Sequence, residues 1–246
     1  MKKKYLILQL ITIVVFIAIP PLLQKETNHI YSFGINSATF IQLILAVLLN
    51  FEFYTIRKNL NKKNDIPENP NSENQKNQKA LEDFSHKITV LKYFALTLAF
   101  LMLTYAFTLF LTHLPLPILK SHQNTINFPN GPAWIFAFVQ LAISAFFEEV
   151  IYRELLPESL LLIFPLKNQN FFTQNKKLNF KRLLLEGLPL ILFSLAHLYA
   201  GLASVINAFF SAIFLRLSYI KTKSVYTGAA SHFVYNSLML LFAYFA

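Results

Sequence analysis

Long apolar segments are the feature that most limits the fold of this chain. Of its 246 residues 55% are hydrophobic and 26 are phenylalanine, which is too apolar for a soluble domain. A membrane-spanning helix needs about 20 mainly apolar residues. Seven segments approach that length, over residues 5–23, 35–54, 88–111, 133–156, 183–200, 202–219 and 225–244. The sequence therefore predicts an all-α, polytopic membrane helix bundle of about seven transmembrane helices.

The basic residues predict the orientation of these helices. The net charge is +10, and the lysines and arginines lie mainly between apolar segments. With Lys2–Lys4 in the cytoplasm, the outer loops hold only Lys25 and Lys120. Cytoplasmic loops are enriched in Lys and Arg, so the N-terminus is predicted inside and the C-terminus outside. This distribution speaks against a nucleic-acid partner, and the lipid bilayer is the predicted surrounding.

Residues 57–87 differ from the rest of the chain in composition. They are rich in Asn, Lys, Glu and Gln and contain two prolines, which is typical of a solvated, irregular linker. We predict four parts: two N-terminal transmembrane helices (1–56), a polar cytoplasmic linker (57–87), a third helix with an outer loop (88–130) and a core (131–246). The chain has no cysteine, which excludes disulfides and thiolate chemistry.

The fourth apolar segment carries three ionisable residues, Glu148, Glu149 and Arg153. Ionisable residues inside a membrane are costly and are functional candidates by default. Glu149 and Arg153 are four residues apart, so they share a helix face and can pair. Glu148 lies roughly 100° round the helix from Glu149. A structural alternative is a Glu149–Arg153 ion pair with Glu148 at the water interface.

Two further apolar segments carry polar residues. His197 lies in the fifth segment, and His232 and Asn236 lie one helical turn apart in the seventh. Each could be a packing residue, because His and Asn also hydrogen-bond between membrane helices. Together with the two glutamates, however, they indicate one convergent polar site on three helices.

This set of residues indicates hydrolysis. No cysteine and no Ser/His/Asp set is available as a nucleophile, which leaves water. A glutamate can accept the proton of water, with a histidine assisting, and His and Asn can stabilise an oxyanion. Alternatively, His197, His232 and Glu148 could hold a divalent metal ion with a bound water. Either route is expected to cleave a peptide bond.

The order of these motifs resembles the CPBP family of intramembrane proteases. That family contains the CAAX prenyl endopeptidases and bacterial proteins linked to bacteriocin processing and self-immunity. The resemblance covers roughly residues 133–240 and rests on three motifs in order, Glu148-Glu149-x-x-x-Arg153, Phe193-x-x-x-His197 and His232-x-x-x-Asn236. It implies an intramembrane endopeptidase that acts on a peptide or membrane-protein substrate.

The resemblance also implies a role for each residue. Glu148 would activate the attacking water with help from His197, while His232 and Asn236 would position the scissile carbonyl and stabilise its oxyanion. Glu149 would pair with Arg153 and hold the end of the helix. Family members are described both as metal-dependent and as metal-free, so the expected cofactor is none or Zn²⁺. We favour the metal-free mechanism.

Two other functions fit the same sequence. A proton-coupled transporter would also place Glu and His in membrane helices, although no internal repeat is evident. A catalytically silent immunity or scaffold protein would keep the same fold and motifs. The Lys- and Asn-rich composition indicates a bacterial plasma-membrane protein.

One geometric expectation concerns the fifth segment. At a helical rise of about 1.5 Å per residue, His197 and Glu148 lie at the same depth in the membrane only if the fifth segment enters the membrane at Pro189. We therefore predict a break there, with 183–188 along the membrane interface.

Overall fold

The computed structural model describes residues 3–15, 19, 30–32, 37–62, 73–115, 125–166 and 179–245. Within these ranges the chain forms eight α-helices, joined at one point by a π-helical segment. The helices are α1 Lys3–Ile13, α2 Ser37–Lys62, α3 Glu73–His113, α4 Ala133–Glu149, α5 Leu156–Ile163, α6 Phe180–Leu195, α7 Leu202–Thr222 and α8 Val225–Phe245.

Two short strands are the exception to the helical architecture. Strand β1 (Ile30–Ser32) pairs in parallel with β2 (Thr125–Asn127), with Tyr31 opposite Ile126. Both strands lie in predicted outer loops, β1 after the apolar segment 5–23 and β2 after the apolar segment 88–111. The all-α fold class is otherwise confirmed.

Four helical stretches are long and apolar enough to cross a membrane, among the residues that the structure describes. They are Ser37–Thr55, Glu82–His113, Ala133–Ile163 and Leu202–Thr222. Large apolar side chains on them face outward, as expected for contact with lipid: Phe51, Leu91 and Leu103 are 68%, 69% and 61% exposed. The total of seven spans stays a prediction, and most of the second half of segment 5–23 lies outside the described residues.

The polar segment 57–87 is more regular than expected. Helix α2 continues to Lys62, and α3 already begins at Glu73, so irregular structure is wrong for 57–62 and 73–87. Residues 63–72 lie outside the described part. Glu, Gln, Lys and Ala are good helix formers, so this composition allows helices to extend beyond the apolar length. The division into four parts stays a prediction.

The predicted break at Pro189 is wrong. Helix α6 runs through Pro189 from Phe180 to Leu195, and Pro189 is buried. Packing of α6 against α7 maintains the helix although proline removes one backbone donor. The sequence also placed His197 inside a helix, whereas α6 ends at Leu195.

A tight connection separates α6 from α7. The His197 N–H donates to the Ser194 carbonyl, and a 3₁₀ turn follows at Leu198–Ala200. Gly201 then adopts φ 95°, a conformation that side chains other than glycine rarely accept. The turn leaves His197 at the end of α6, where it faces the bundle.

The π-helical segment Val150–Leu155 lies at the centre of the bundle. Helix α4 packs against α2 and α8, α3 packs against α7 and α8, and α6 packs against α7. All six residues of the π-helical segment are buried. The predicted acidic motif therefore directly precedes the most enclosed part of the described structure.

Candidate active site

The acidic motif lies where α4 changes into the π-helix. Glu149 is the last residue of α4, and the next six residues form wider i→i+5 turns. No glycine or proline in that segment explains the change. Short π-helical segments occur frequently at functional sites, so the local distortion agrees with the motif being one.

Glu149 contacts two cationic or polar partners at once. Its Oε2 lies 3.3 Å from Arg153 Nε, which is the pair that the four-residue spacing predicts. Its Oε1 lies 3.1 Å from His232 Nδ1. Because a carboxylate only accepts hydrogen bonds, Nδ1 of His232 carries the proton. Glu149 is 1% exposed and therefore holds two helices together inside the bundle.

Gly228 makes room for the Glu149 carboxylate. A Cβ atom at Gly228 on α8 would lie 2.9 Å from Glu149 Oε2, closer than real Cβ contacts. The absence of a side chain at this position lets α8 approach the acid. Gly228 was not identified from the sequence.

Glu148 has a different environment from its neighbour. Its side chain is 29% exposed, and its Oε2 lies 3.9 Å from His232 Nε2. That oxygen has no hydrogen-bond partner among the described residues. The His232 ring thus lies between two carboxylates, one buried and engaged at Nδ1, the other partly exposed and near Nε2.

Arg153 is the most enclosed charge of the site. It is 0% exposed, and its guanidinium carbon lies 4.2 Å from the centre of the Phe193 ring. Within the described part of the chain, none of its three side-chain nitrogens makes a hydrogen bond of good geometry. The cation is held by the Glu149 carboxylate and by the aromatic face of Phe193.

Three of the predicted residues line one cavity of about 230 Å³. His197, His232 and Asn236 come from the end of α6 and from α8, and Phe193 lies between the two histidines, with ring centroids 4.8 and 6.3 Å away. His197 Nδ1 donates to the Phe193 carbonyl at 2.9 Å, which leaves Nε2 for other contacts.

Glu148 meets this cavity only through His232. It does not line the cavity, and no contact among those described joins it to His197. His232 therefore links the two parts of the predicted site, because it approaches both Glu148 and Glu149 and also lines the cavity. The roles assigned to them stay predictions.

The metal alternative has no matching ligand arrangement. In the ranges that the structure describes, no group of three or more His, Asp or Glu side chains is placed to hold a metal ion. Glu148 and His232 approach each other, but a catalytic zinc site uses three protein ligands. The set His197, His232 and Glu148 therefore does not fit a zinc site.

A second buried polar network was missed in the sequence. Arg216 on α7 donates from Nε to Glu186 Oε2 at 2.6 Å and lies 3.3 Å from Glu158 Oε1. It also donates to the backbone carbonyl of Arg153 inside the π-helix. The signal for this network in the sequence is Arg216 itself, an ionisable residue inside an apolar segment like Glu148.

Glu154 links the π-helix to further helices. Its Oε2 accepts from Asn50 Nδ2 on α2 at 2.9 Å, and its Oε1 accepts from the Tyr219 hydroxyl on α7 at 3.3 Å. Together with the bond from Arg216 to the Arg153 carbonyl, these contacts join the π-helical segment to α2 and α7. This network explains how tertiary contacts stabilise a helix form that the local sequence does not favour.

Comparison with known families finds one match. Residues 130–238 match the family model Rce1-like, described as type II CAAX prenyl endopeptidase Rce1-like. The resemblance predicted from the three motifs is thereby confirmed, and the match implies a protease-type hydrolase. Comparison with curated proteins and with solved structures finds no match. Together with the four apolar helices, the family match indicates a multi-pass membrane protein.

Proposed function

We propose that the chain is an intramembrane endopeptidase in which Glu148 activates water. The observation that carries this proposal is the difference between the two acids. Glu149 is buried between Arg153 and His232, whereas Glu148 is partly exposed and has an oxygen without a hydrogen-bond partner among the described residues. A general base needs a carboxylate that is not already engaged, and the partly exposed Glu148 side chain, whose enclosed Oε2 has no hydrogen-bond partner among the described residues, meets that condition better than Glu149.

The first step is the activation of water beside His232, which takes the assisting role that the resemblance gave to His197 because His232 is the histidine that approaches Glu148. A water molecule in reach of Glu148 Oε2 and His232 Nε2, which are 3.9 Å apart, would give its proton to Glu148. The hydroxide oxygen then bonds to the peptide carbonyl carbon. Because Glu149 engages Nδ1, the His232 ring turns its Nε2 toward this water.

The second step is the collapse of the tetrahedral intermediate. Its oxyanion would accept a hydrogen bond from the side-chain amide of Asn236, which lines the cavity. The C–N bond breaks, and the proton held by Glu148 passes to the leaving nitrogen. The products are one new carboxyl and one new amine, and Glu148 is returned to its starting state.

Substrate and setting are proposed from the resemblance. We place the protein in a bacterial plasma membrane with a cytoplasmic N-terminus, where it would cut a peptide or membrane-protein substrate. Processing of bacteriocin-type peptides or self-immunity is the setting that the family suggests. In a producing or sensitive strain, Glu148→Ala at unchanged protein level should then abolish the phenotype. Retention of the phenotype would favour a silent scaffold.

The direct test uses isotopic water. The purified full chain is reconstituted in liposomes with a library of membrane-tethered peptides in H₂¹⁸O, and products are analysed by mass spectrometry. We expect one ¹⁸O atom in the new carboxyl group, no product with Glu148→Gln, and full product with the exposed-site control Glu82→Gln. A chelator should leave the rate unchanged. Cleavage that persists in Glu148→Gln would overturn the proposal.

A further inference from the structure

A basic pocket lies at the end of the bundle where α5 and α7 end and α6 begins. The pocket has a volume of about 310 Å³, and Arg182, Arg216 and Lys223 contribute to its lining. Glu158 is the acidic residue in the same lining. Because membrane helices begin and end near the headgroup region, we expect this pocket to lie at the depth of lipid headgroups.

Contacts within the protein hold the basic side chains in place. Glu186 bonds Arg216 at 2.6 Å and Arg182 at 3.4 Å, and Glu158 also approaches Arg216. Lys223 caps α7 in a left-handed conformation with φ 53°. Three cations against the two acids Glu158 and Glu186 leave the pocket with an excess of positive charge.

An apolar groove continues from this pocket between α6 and α7. Its volume is about 500 Å³, and it shares Arg216 and Ile220 with the basic pocket. Apart from Glu186 and Arg216 its lining is apolar, with residues such as Leu184, Leu188, Ile213 and Leu217.

The length of the groove matches one leaflet of a bilayer. It follows α7 from Ile220 back to Phe209. At the helical rise this is about 16 Å. The hydrocarbon core of a bilayer is about 30 Å thick, so one leaflet is about half of that.

We propose that this pocket and groove form a binding site for one anionic phospholipid. The phosphate group would occupy the pocket beside Lys223 and Arg182, and an acyl chain would lie in the groove over Gly187. Basic pockets between membrane helices recognise anionic headgroups in this way. The site shares no lining residue with the cavity of His197, His232 and Asn236, so it does not depend on the proposed protease function.

Two lysines of the same helix end make a matched test of the headgroup. Lys223 lines the pocket, whereas Lys221 is exposed and does not. The full chain in neutral detergent is titrated with phosphatidylglycerol or phosphatidylcholine of identical acyl chains, and the thermal midpoint is recorded. We expect phosphatidylglycerol to stabilise more strongly. Lys223→Gln should weaken its half-saturation about fivefold, equivalent to ~1 kcal/mol per basic residue, and Lys221→Gln should not.

A variant at Gly187 tests the groove. A Cβ at Gly187 would meet no atom within 4 Å, so the side chain of Gly187→Leu would start in open space on the groove side of the helix. The variant should fold, since leucine is a better helix former than glycine, and it should lose most of the phosphatidylglycerol effect.

Three results would overturn the lipid site. The first is equal stabilisation by the two lipids or by inorganic phosphate alone. The second is an equal effect of Lys223→Gln and Lys221→Gln. The third is unchanged lipid binding in Gly187→Leu.

Discussion

The imidazole of His232 lies against the buried carboxylate of Glu149, with Nδ1 3.1 Å from Oε1. This contact orients the ring so that its other nitrogen points to Glu148. Two adjacent acids of the same type therefore have different environments, because Glu149 is enclosed and the Glu148 side chain is partly exposed. The four-residue spacing predicts only Arg153 as a partner of Glu149, and the structure adds His232 as a second partner.

Glu149→Gln should destabilise the fold strongly. The change leaves Arg153, which is 0% exposed, without its carboxylate, and removing one partner of a buried pair costs about 3–5 kcal/mol. The measurement is the unfolding free energy in mixed micelles. Glu82→Gln on the exposed part of α3 should stay within about 0.5 kcal/mol of wild type. Equal stability of the two variants would show that Arg153 does not need Glu149.

Gly228→Ala should destabilise the chain while Gly187→Ala should not. The added Cβ at Gly228 would lie 2.9 Å from Glu149 Oε2, and overpacking of this kind costs about 1–3 kcal/mol. At Gly187 the same methyl group meets no atom within 4 Å, and alanine is favoured over glycine in a helix by about 1 kcal/mol. Thermal midpoints of the two variants should therefore move in opposite directions. A shift of both in the same direction would contradict the close approach of α8 to Glu149.

Arg216→Met should be more harmful than the double change with Glu186→Met. The single change leaves Glu186 with only the longer contact to Arg182 and removes the donor to the Arg153 carbonyl, at a cost of up to about 3–5 kcal/mol, whereas apolar residues at both positions also remove the Glu186 charge. Unfolding free energies of the two single variants and the double variant give the coupling energy. Lys221→Met serves as the exposed control on α7. Additive effects would show that Arg216 and Glu186 act separately.

Asn236→Ala should lower catalysis without lowering stability. The residue lines the cavity beside His232, where an amide donor would stabilise the oxyanion. Loss of one such donor lowers kcat about 10²–10³-fold. Steady-state kinetics should show the loss in kcat, with KM nearly unchanged and the thermal midpoint kept. A loss confined to KM would indicate that Asn236 binds substrate rather than the oxyanion.

The sequence predicted those features that depend on local spacing. The pairing of Glu149 with Arg153 follows from four residues on one helix, and the all-α class follows from segment length. The π-helix was not predicted, although Pro157 removes the α-helical donor to the Arg153 carbonyl, and the bond that this carbonyl accepts instead comes from Arg216, 63 positions away. The continuity of α6 through Pro189 was likewise not predicted, because it runs against the local tendency of proline to end a helix.

Contacts between segments were the other part that could not be predicted. The sequence places Glu149 and His232 83 positions apart, and nothing local shows that Gly228 lets their helices approach. Arg216 and Glu186 were visible as charges in apolar segments, but their pairing depends on how α6 and α7 face each other.

The most direct measurement is the single-turnover cleavage rate of Glu148→Gln beside that of wild type. Both proteins are reconstituted in the same liposomes with the same tethered peptide, and folding is checked by thermal midpoint. Since Glu148 is partly exposed and its neighbour holds Arg153, the variant should fold normally and lose at least about 10²-fold in rate. A folded Glu148→Gln protein that cleaves at the wild-type rate would contradict the assignment of Glu148 as the base.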